Sequence, residues 1–278
     1  RHRDSRSGMT PQEQLDAIYA ADAPLYKERD KTYAGIKKEL SPYGVCGLDF
    51  KELETDEKKY VKKCFKEQIL PVLSPQIVDS SHPFPHLMNK DIYVTANLKH
   101  INSRKNKDDK EKEQILGIVP VPTYVSDILM LPGHDIRYIR MEKVIMEYLD
   151  LVFDQYEVSD PNYICVTRNA DVSPDDEALE VTDDFRKLMQ STLHKRRRMA
   201  VVRLETAEKL TPEMQEYFCK KFKITPEQIF RTKMPMKLDY MFSIAGNLPE
   251  SMKKALVYEP FSPQKSAHVQ DGNMLKQV

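Results

Sequence analysis

The hydrophobic positions near the start of the chain recur with the period of an α-helix. Thr10, Pro11 and Glu13 form a helix-start pattern, with an N-cap, a proline in the first turn and a capping-box acid. Pro24 should kink or split this helix, and the segment 41–44 (SPYG) should end it. We expect one stripe to pack on the rest of the protein: Leu15, Ile18, Leu25, Ile36 and Leu40, with Tyr26 and Tyr33 beside it.

A second helix is predicted from Thr55 to a point before Pro71, and a proline-rich segment follows it. This segment, 71–89, contains four prolines, which favour neither a helix nor the middle of a sheet. It also carries many apolar side chains. We therefore predict a rigid, partly buried crossing between the helical region and the strands that follow.

After the crossing the period changes to two. Asp91–Leu98 alternates as a half-buried strand, and Ile115–Val119 is a second strand, bounded by prolines. The charged run between them is typical of a solvated hairpin loop, and a basic binding arm is the less favoured alternative. Further elements are predicted at 141–152 (helix), 163–168 (strand), 173–198 (helix), 200–206 (strand), and from Thr211 and Thr225 (helices). The expected fold is α+β: a helical N-terminal segment followed by a mixed, mainly antiparallel sheet covered by helices.

Composition narrows the class of protein. Lys plus Arg and Asp plus Glu each number 43, so the net charge of zero gives no general attraction to nucleic acid or anionic membrane. The four cysteines form no CxxC pair, which favours reduced thiols and a cytoplasmic location. No apolar run approaches the length of a membrane span, and no glycine-rich nucleotide-binding loop occurs.

Few residues are candidates for chemistry. His82 and His86 have a metal-ligand spacing, but Pro83 and Pro85 forbid the helix that would align them, so we favour a structural role around a packed Phe84. A second group contains basic residues that could contact phosphates: Arg168, Lys195, Arg196, Arg197 and Arg198. For Arg168 the alternative is a buried ion pair, which is commoner. For the run 195–198 the alternative is a helix C-terminus with suitable charge. No catalytic residue and no metal ligand is predicted.

Four motifs that occur in order along the chain indicate a family: ILPVLSPQIVDSSHPFPHLMN, ILGIVPVP, CVTRNADVSPDDEA and KRRRMAVVRLE. Together they resemble the family of large bacterial polyphosphate kinases, over nearly the whole chain. Ser74 stands where that family usually has Thr, and Val125–Ser126 replaces the usual Arg-Phe. The resemblance implies an enzyme that reversibly transfers the γ-phosphoryl of ATP to polyphosphate through a phosphohistidine.

The resemblance also implies a division of the chain. Residues 1–45 correspond to the rear of an N-terminal helical domain, 46–261 to a head domain and 262–278 to a linker towards catalytic domains. None of the seven histidines lies in the family's nucleophile context. We therefore expect a fragment without activity or cofactors of its own, with Mg²⁺ and ATP belonging to the parent enzyme.

The expected partners are the parent's remaining catalytic domains, a second copy in a homodimer, and polyphosphate. Nucleic acid and a membrane span are not expected. Three roles stay open: a structural part of the enzyme that supplies dimer contacts and tunnel wall, a polyanion-binding module, and a dimerisation module alone.

Overall fold

The computed structural model describes residues 3–101, 115–133, 135–169, 199–256, 258–259 and 261–263. The chain divides into two compact units, Arg1–Tyr240 and Met241–Val278. The helices are α1 (Pro11–Leu40), α2 (Thr55–Cys64), α3 (Met141–Glu147), α4 (Leu149–Val152), α5 (Pro212–Phe222), α6 (Tyr240–Asn247) and α7 (Glu250–Leu256). The strands are β1 (Val45–Leu48), β2 (Gln76–Val78), β3 (Ile92–His100), β4 (Ile115–Pro120), β5 (Ile128–Met130), β6 (Ile136–Arg140), β7 (Tyr156–Arg168), β8 (Val201–Thr206) and β9 (Ile229–Arg231).

A six-stranded sheet in the order β2-β4-β3-β7-β8-β9 forms the centre of the first unit. Its neighbours are antiparallel except for β8 and β9, which run parallel. A smaller sheet, β1-β6-β5, contains one parallel and one antiparallel pair. The predicted α+β class with a mixed, mainly antiparallel sheet is confirmed.

Both faces of the large sheet are buried, so the prediction of a half-buried strand at 91–98 is wrong. Val94 and Ala96 of β3 lie in a core with residues of α2 and α3, while Tyr93 lies in a second core with residues of α5. Thr95, on the Tyr93 side by alternation, is also buried. Period-two alternation shows which side chains share a face, but not whether the second face is covered.

The close packing of the first core is visible at Gly117 of β4. A Cβ atom added there would lie 2.8 Å from the buried ring of Phe153 and 3.0 Å from Leu98. Glycine at this position lets the ring pack directly on the strand backbone.

Helix α1 begins as predicted, with the Thr10 and Glu13 capping box, and it runs unbroken through Pro24. Pro24 and Ala20 are exposed, so water can replace the backbone hydrogen bond that proline removes. The helix ends at Leu40, and Gly44 then adopts a left-handed conformation with φ 74°.

The face of α1 that contacts the body is aromatic and polar. The ring of Tyr26 stacks on Phe230 at 4.5 Å, and its hydroxyl donates to Glu205 at 3.1 Å. Arg29 donates to Thr232, and Asp30 accepts from backbone N–H groups in the segment after β9. The predicted packing stripe is therefore wrong. Four of its residues are exposed: Leu15, Ile18, Leu25 and Ile36.

Three other predictions change in extent. The helix predicted at 141–152 is interrupted at Tyr148 into α3 and α4. The strand predicted at 163–168 begins at Tyr156, because a bulge with Asp160 at φ 49° accommodates Pro161 within it. The helix predicted from Thr225 is a single turn followed by β9. The predicted helix at 173–198 lies outside the described residues.

Candidate functional site

Arg168 lies at the end of β7, where this strand meets the proline-rich crossing. Its backbone N–H donates to Asn89 Oδ1 at 2.8 Å. Its guanidinium Nε donates to the carbonyl of Leu87 at 2.9 Å, and Nη1 donates to the carbonyl of Met199 at 2.7 Å. One side chain thus joins the crossing, the end of β7 and the segment that enters β8.

Two further hydrogen bonds fix the crossing at this junction. The backbone N–H of Met88 donates to the hydroxyl of Tyr93 at 2.8 Å, and the N–H of Lys90 donates to the carbonyl of Val166 at 2.8 Å. Lys90 has a left-handed conformation with φ 61°, which turns the chain into β3. The crossing is therefore attached through both main chain and side chains.

The charge of Arg168 is not neutralised by a carboxylate within 4 Å in the described part of the chain. Desolvation lowers the pKa of this guanidinium from its usual value, and the phenolic group of Tyr93 acts in the opposite direction. Within the described residues, its hydrogen bonds use two of the five guanidinium N–H groups. The arrangement can hold backbone carbonyls and still present positive charge to an anion.

The first histidine of the crossing contacts an aspartate of its own turn. Nδ1 of His82 lies 2.9 Å from Asp79 Oδ1, which also accepts the backbone N–H groups of Ser81 and His82. Desolvation opposes the charge of Asp79, but these hydrogen bonds lower its pKa overall. Within the ranges that the structure describes, no three His, Cys, Asp or Glu side chains converge as metal ligands.

Phe84 packs against the second core. Its ring lies 5.3 Å from Phe222, edge to face, and 6.2 Å from Tyr217, both on α5. Pro83 and Pro85 flank it in backbone without regular secondary structure. The ring of Phe84 thus packs the crossing against α5.

The four basic residues Lys195, Arg196, Arg197 and Arg198 lie outside the described residues. Their chain neighbour Met199 is described, and its carbonyl is one of the two that Arg168 contacts. Whether these five cations form one site therefore stays a prediction. Mg²⁺ and ATP, expected for the parent enzyme, stay predictions as well.

A buried ion pair that the sequence did not indicate lies at the start of α3. Arg140 Nη1 lies 2.5 Å from Glu142 Oε1, and Nη2 donates to the hydroxyl of Tyr163 at 3.2 Å. The side chains of Arg140 and Glu142 are only 8% and 6% exposed. Burial opposes the charge of Arg140, but the Glu142 carboxylate raises its pKa overall. A two-residue separation at a strand–helix junction gives no recognisable signal in the sequence.

Comparison with known proteins gives consistent matches. Residues 56–244 match the family described as the polyphosphate kinase middle domain. A polyphosphate kinase of Halalkalibacterium halodurans is 30% identical over 249 residues, covering 88% of this chain and 34% of that protein. One from Bacillus cereus is 29% identical over 265 residues, covering 94% of this chain and 37% of that protein.

A solved structure has a similar fold. The crystal structure of polyphosphate kinase from Porphyromonas gingivalis aligns with a TM-score of 0.65 and 22% sequence identity, over 96% of this chain and 38% of that one. The chain spans about a third of the length of the curated relatives it matches. Separately, none of the helices in the described part combines the length and apolar character needed to cross a bilayer.

Proposed function

The chain belongs to the polyphosphate kinase family, and we propose that it is the non-catalytic N-terminal and head portion of such an enzyme. The whole enzyme would reversibly transfer the γ-phosphoryl of ATP to polyphosphate. In this portion, the role is structural: it supports neighbouring catalytic domains, contributes contacts to a homodimer and forms part of the wall along which polyphosphate passes.

The observation that carries the proposal is that side chains of the crossing and of its junction with β7 are engaged in structural contacts. Phosphoryl transfer requires a nucleophile, metal ions held by carboxylates and cations around the transferred group. Here Asp79 caps its own turn, Arg168 contacts two backbone carbonyls, and the ring of Phe84 packs on α5. Groups that are engaged in this way support a site for phosphate chemistry and do not carry it out.

The test is a synthesis assay with the purified chain. It is incubated with ATP, Mg²⁺ and a short polyphosphate primer, and polyphosphate is measured against a blank without protein. The Bacillus cereus polyphosphate kinase, assayed in parallel, controls for the conditions. We expect no synthesis by the chain, and ATP-dependent synthesis that grows with its concentration would overturn the proposal.

A second candidate function is direct binding of polyphosphate by Arg168 and by residues 195–198. It is favoured by the charge of Arg168, for which the described residues offer no carboxylate partner within 4 Å. Binding of a polyanion should weaken steeply with added salt, because counterions are released. Absence of binding at low salt, or binding unchanged when Arg196, Arg197 and Arg198 are all replaced by Ala, would refute it.

Two further parts of the proposal have their own support. The exposed apolar side chains Ile18, Leu25 and Ile36 on α1 favour a contact with another surface, such as a second copy of the chain. Light scattering that gives a dimer, without affinity for polyphosphate, would support the dimerisation module alone.

The four cysteines are unpaired, which favours the cytoplasm as location.

A further inference from the structure

A cleft of about 190 Å³ lies between α1 and the body of the first unit. We call it the α1 cleft. Lysines from three distant parts of the chain line it: Lys37 from α1, Lys143 from α3 and Lys233 from the segment after β9. The other charged residues in its lining are Arg140, Asp30 and Asp49. Its cations outnumber its acids by four to two.

Both acids of the α1 cleft are already engaged. Asp30 accepts the backbone N–H groups of Lys233 and Met234, each at 2.9 Å, and the hydroxyl of Thr232 at 3.1 Å. Asp49 caps the turn that follows it and contacts the ammonium of Lys143. Arg140 is paired with Glu142 outside the cleft lining.

Two lysine ammonium groups therefore remain to be balanced. Neither Lys37 nor Lys233 has a carboxylate within 4 Å among the described residues. The pKa of Lys143 reflects the same excess of positive charge. Desolvation, followed by repulsion from Lys37, lowers the pKa of Lys143 to about 8, while the Glu208 carboxylate acts in the opposite direction. An anion placed among the three would relieve the repulsion.

We propose that the α1 cleft binds a phosphoryl dianion, supplied either as free orthophosphate or as the terminal phosphoryl of a polyphosphate. Lysine ammonium groups bind phosphate as point charges, each with three N–H donors. Tyr33 and Tyr138 also line the cleft, and the hydroxyl of Tyr33 is hydrogen-bonded to that of Tyr240 at 2.8 Å. The volume is below the roughly 300–1,000 Å³ of sites for drug-sized ligands, which favours a small anion over a nucleotide.

The terminal phosphoryl is one of the two sources because a second cleft shares lining residues with the α1 cleft. This neighbour has a volume of about 430 Å³ and shares Asp49, Lys143 and Lys233 with the first. It adds the cations Lys51 and Arg231 and the acids Glu147 and Glu208, and Arg231 is paired with Glu208 at 2.9 Å. A phosphate chain held by its end in the α1 cleft would have room to extend there.

The site is independent of the role proposed above for Arg168, which lines neither cleft. Replacing Arg168 should leave phosphate binding in the α1 cleft intact. A failure of either proposal therefore does not decide the other.

The test is isothermal titration of the whole chain with three probes: orthophosphate, polyphosphate with free ends, and polyphosphate with both ends esterified. The variant K37Q/K233Q removes the two unbalanced charges. The control K62Q/K63Q removes the same charge from exposed residues in the last turn of α2, which line neither cleft. Thermal unfolding of each variant checks that it is folded, and Lys143 is left intact because it contacts Asp49.

We expect saturable binding of orthophosphate, of free-ended polyphosphate or of both, with about tenfold weaker affinity for each lost lysine contact in K37Q/K233Q. The control variant should bind like the unmodified chain. Binding of free-ended but not of esterified polyphosphate would identify the chain end as the source of the phosphoryl group. Binding of orthophosphate alone would identify the free ion as the source. Binding of neither, or equal losses in K37Q/K233Q and K62Q/K63Q, would overturn the proposal.

Discussion

Replacement of Arg168 tests whether this residue holds the crossing to the sheet. The guanidinium makes hydrogen bonds of 2.9 and 2.7 Å to the carbonyls of Leu87 and Met199. A hydrogen bond that involves a charged group contributes about 1.5–3 kcal/mol, and the partly exposed position reduces this figure. We therefore expect R168M, which loses both, to lower the free energy of unfolding by about 2–4 kcal/mol.

The variant R168K separates charge from geometry. Lysine keeps the positive charge, but its single ammonium cannot span two carbonyls as the planar guanidinium does. We expect R168K to lose about 1–2 kcal/mol, roughly one hydrogen bond, while keeping any affinity for polyphosphate that depends on charge alone.

Equilibrium unfolding in urea, followed by circular dichroism, measures these differences. The matched control is R231M, because Arg231 forms an exposed ion pair with Glu208 whose side chains are 48% and 58% accessible. Such pairs contribute about 0–1 kcal/mol. If R168M were as stable as R231M, Arg168 would not hold the junction and the structural part of the account would be wrong there.

Other changes test the packing and the buried charges. In G117A the new methyl group meets buried side chains at 2.8–3.0 Å, so the free energy of unfolding should fall by about 1–3 kcal/mol. The control G35A lies in an exposed part of α1, and its free energy of unfolding should rise by about 0.5–1 kcal/mol. A G117A variant as stable as the unmodified chain would contradict the packing. E142L should lower the free energy of unfolding by about 3–5 kcal/mol, because it leaves Arg140 buried and unpaired. The double variant R140M/E142L should recover most of that loss. Equal stability of the two variants would refute a stabilising contact between Arg140 and Glu142. Burial raises the pKa of Cys165 from 9.0 to about 12, so its neutral thiol stabilises the fold below pH 9, and this contribution is lost as pH rises towards 12. Between pH 9 and pH 12 the free energy of unfolding of the unmodified chain should fall relative to that of C165A. The same pH dependence of stability in both proteins would contradict this prediction.

Local signals in the sequence predicted the elements whose causes are local. The capping box at Thr10 and the Thr211–Pro212 start each lie at a helix N-terminus in the structure. Alternation located β3 and β8, and flanking prolines marked the end of β4. These patterns depend on neighbours within a few residues, which a single sequence displays.

Features that depend on distant neighbours could not be predicted. The apolar stripe of α1 indicated the wrong face, since Tyr26 and Arg29 are held by partners more than 170 positions away. Strands β1, β5 and β6 are short and pair mostly with one another, so no long alternating run marks them.

The α1 cleft illustrates the same limit for a site. Its three lysines come from α1, α3 and the segment after β9, and they meet only in the folded chain. Arg168, by contrast, was identified because it ends a recognisable strand, and its contacts with Leu87 and Met199 became visible only in the structure.

We propose that this chain supports phosphoryl transfer without carrying the group that is phosphorylated. The most direct measurement is incubation of the purified chain with Mg²⁺ and ATP labelled at the γ-phosphate, followed by detection of acid-labile, base-stable phosphate on the protein. We expect no labelled phosphate on this chain, while a full-length relative treated in parallel becomes labelled. Stoichiometric label on any histidine of this chain would contradict it.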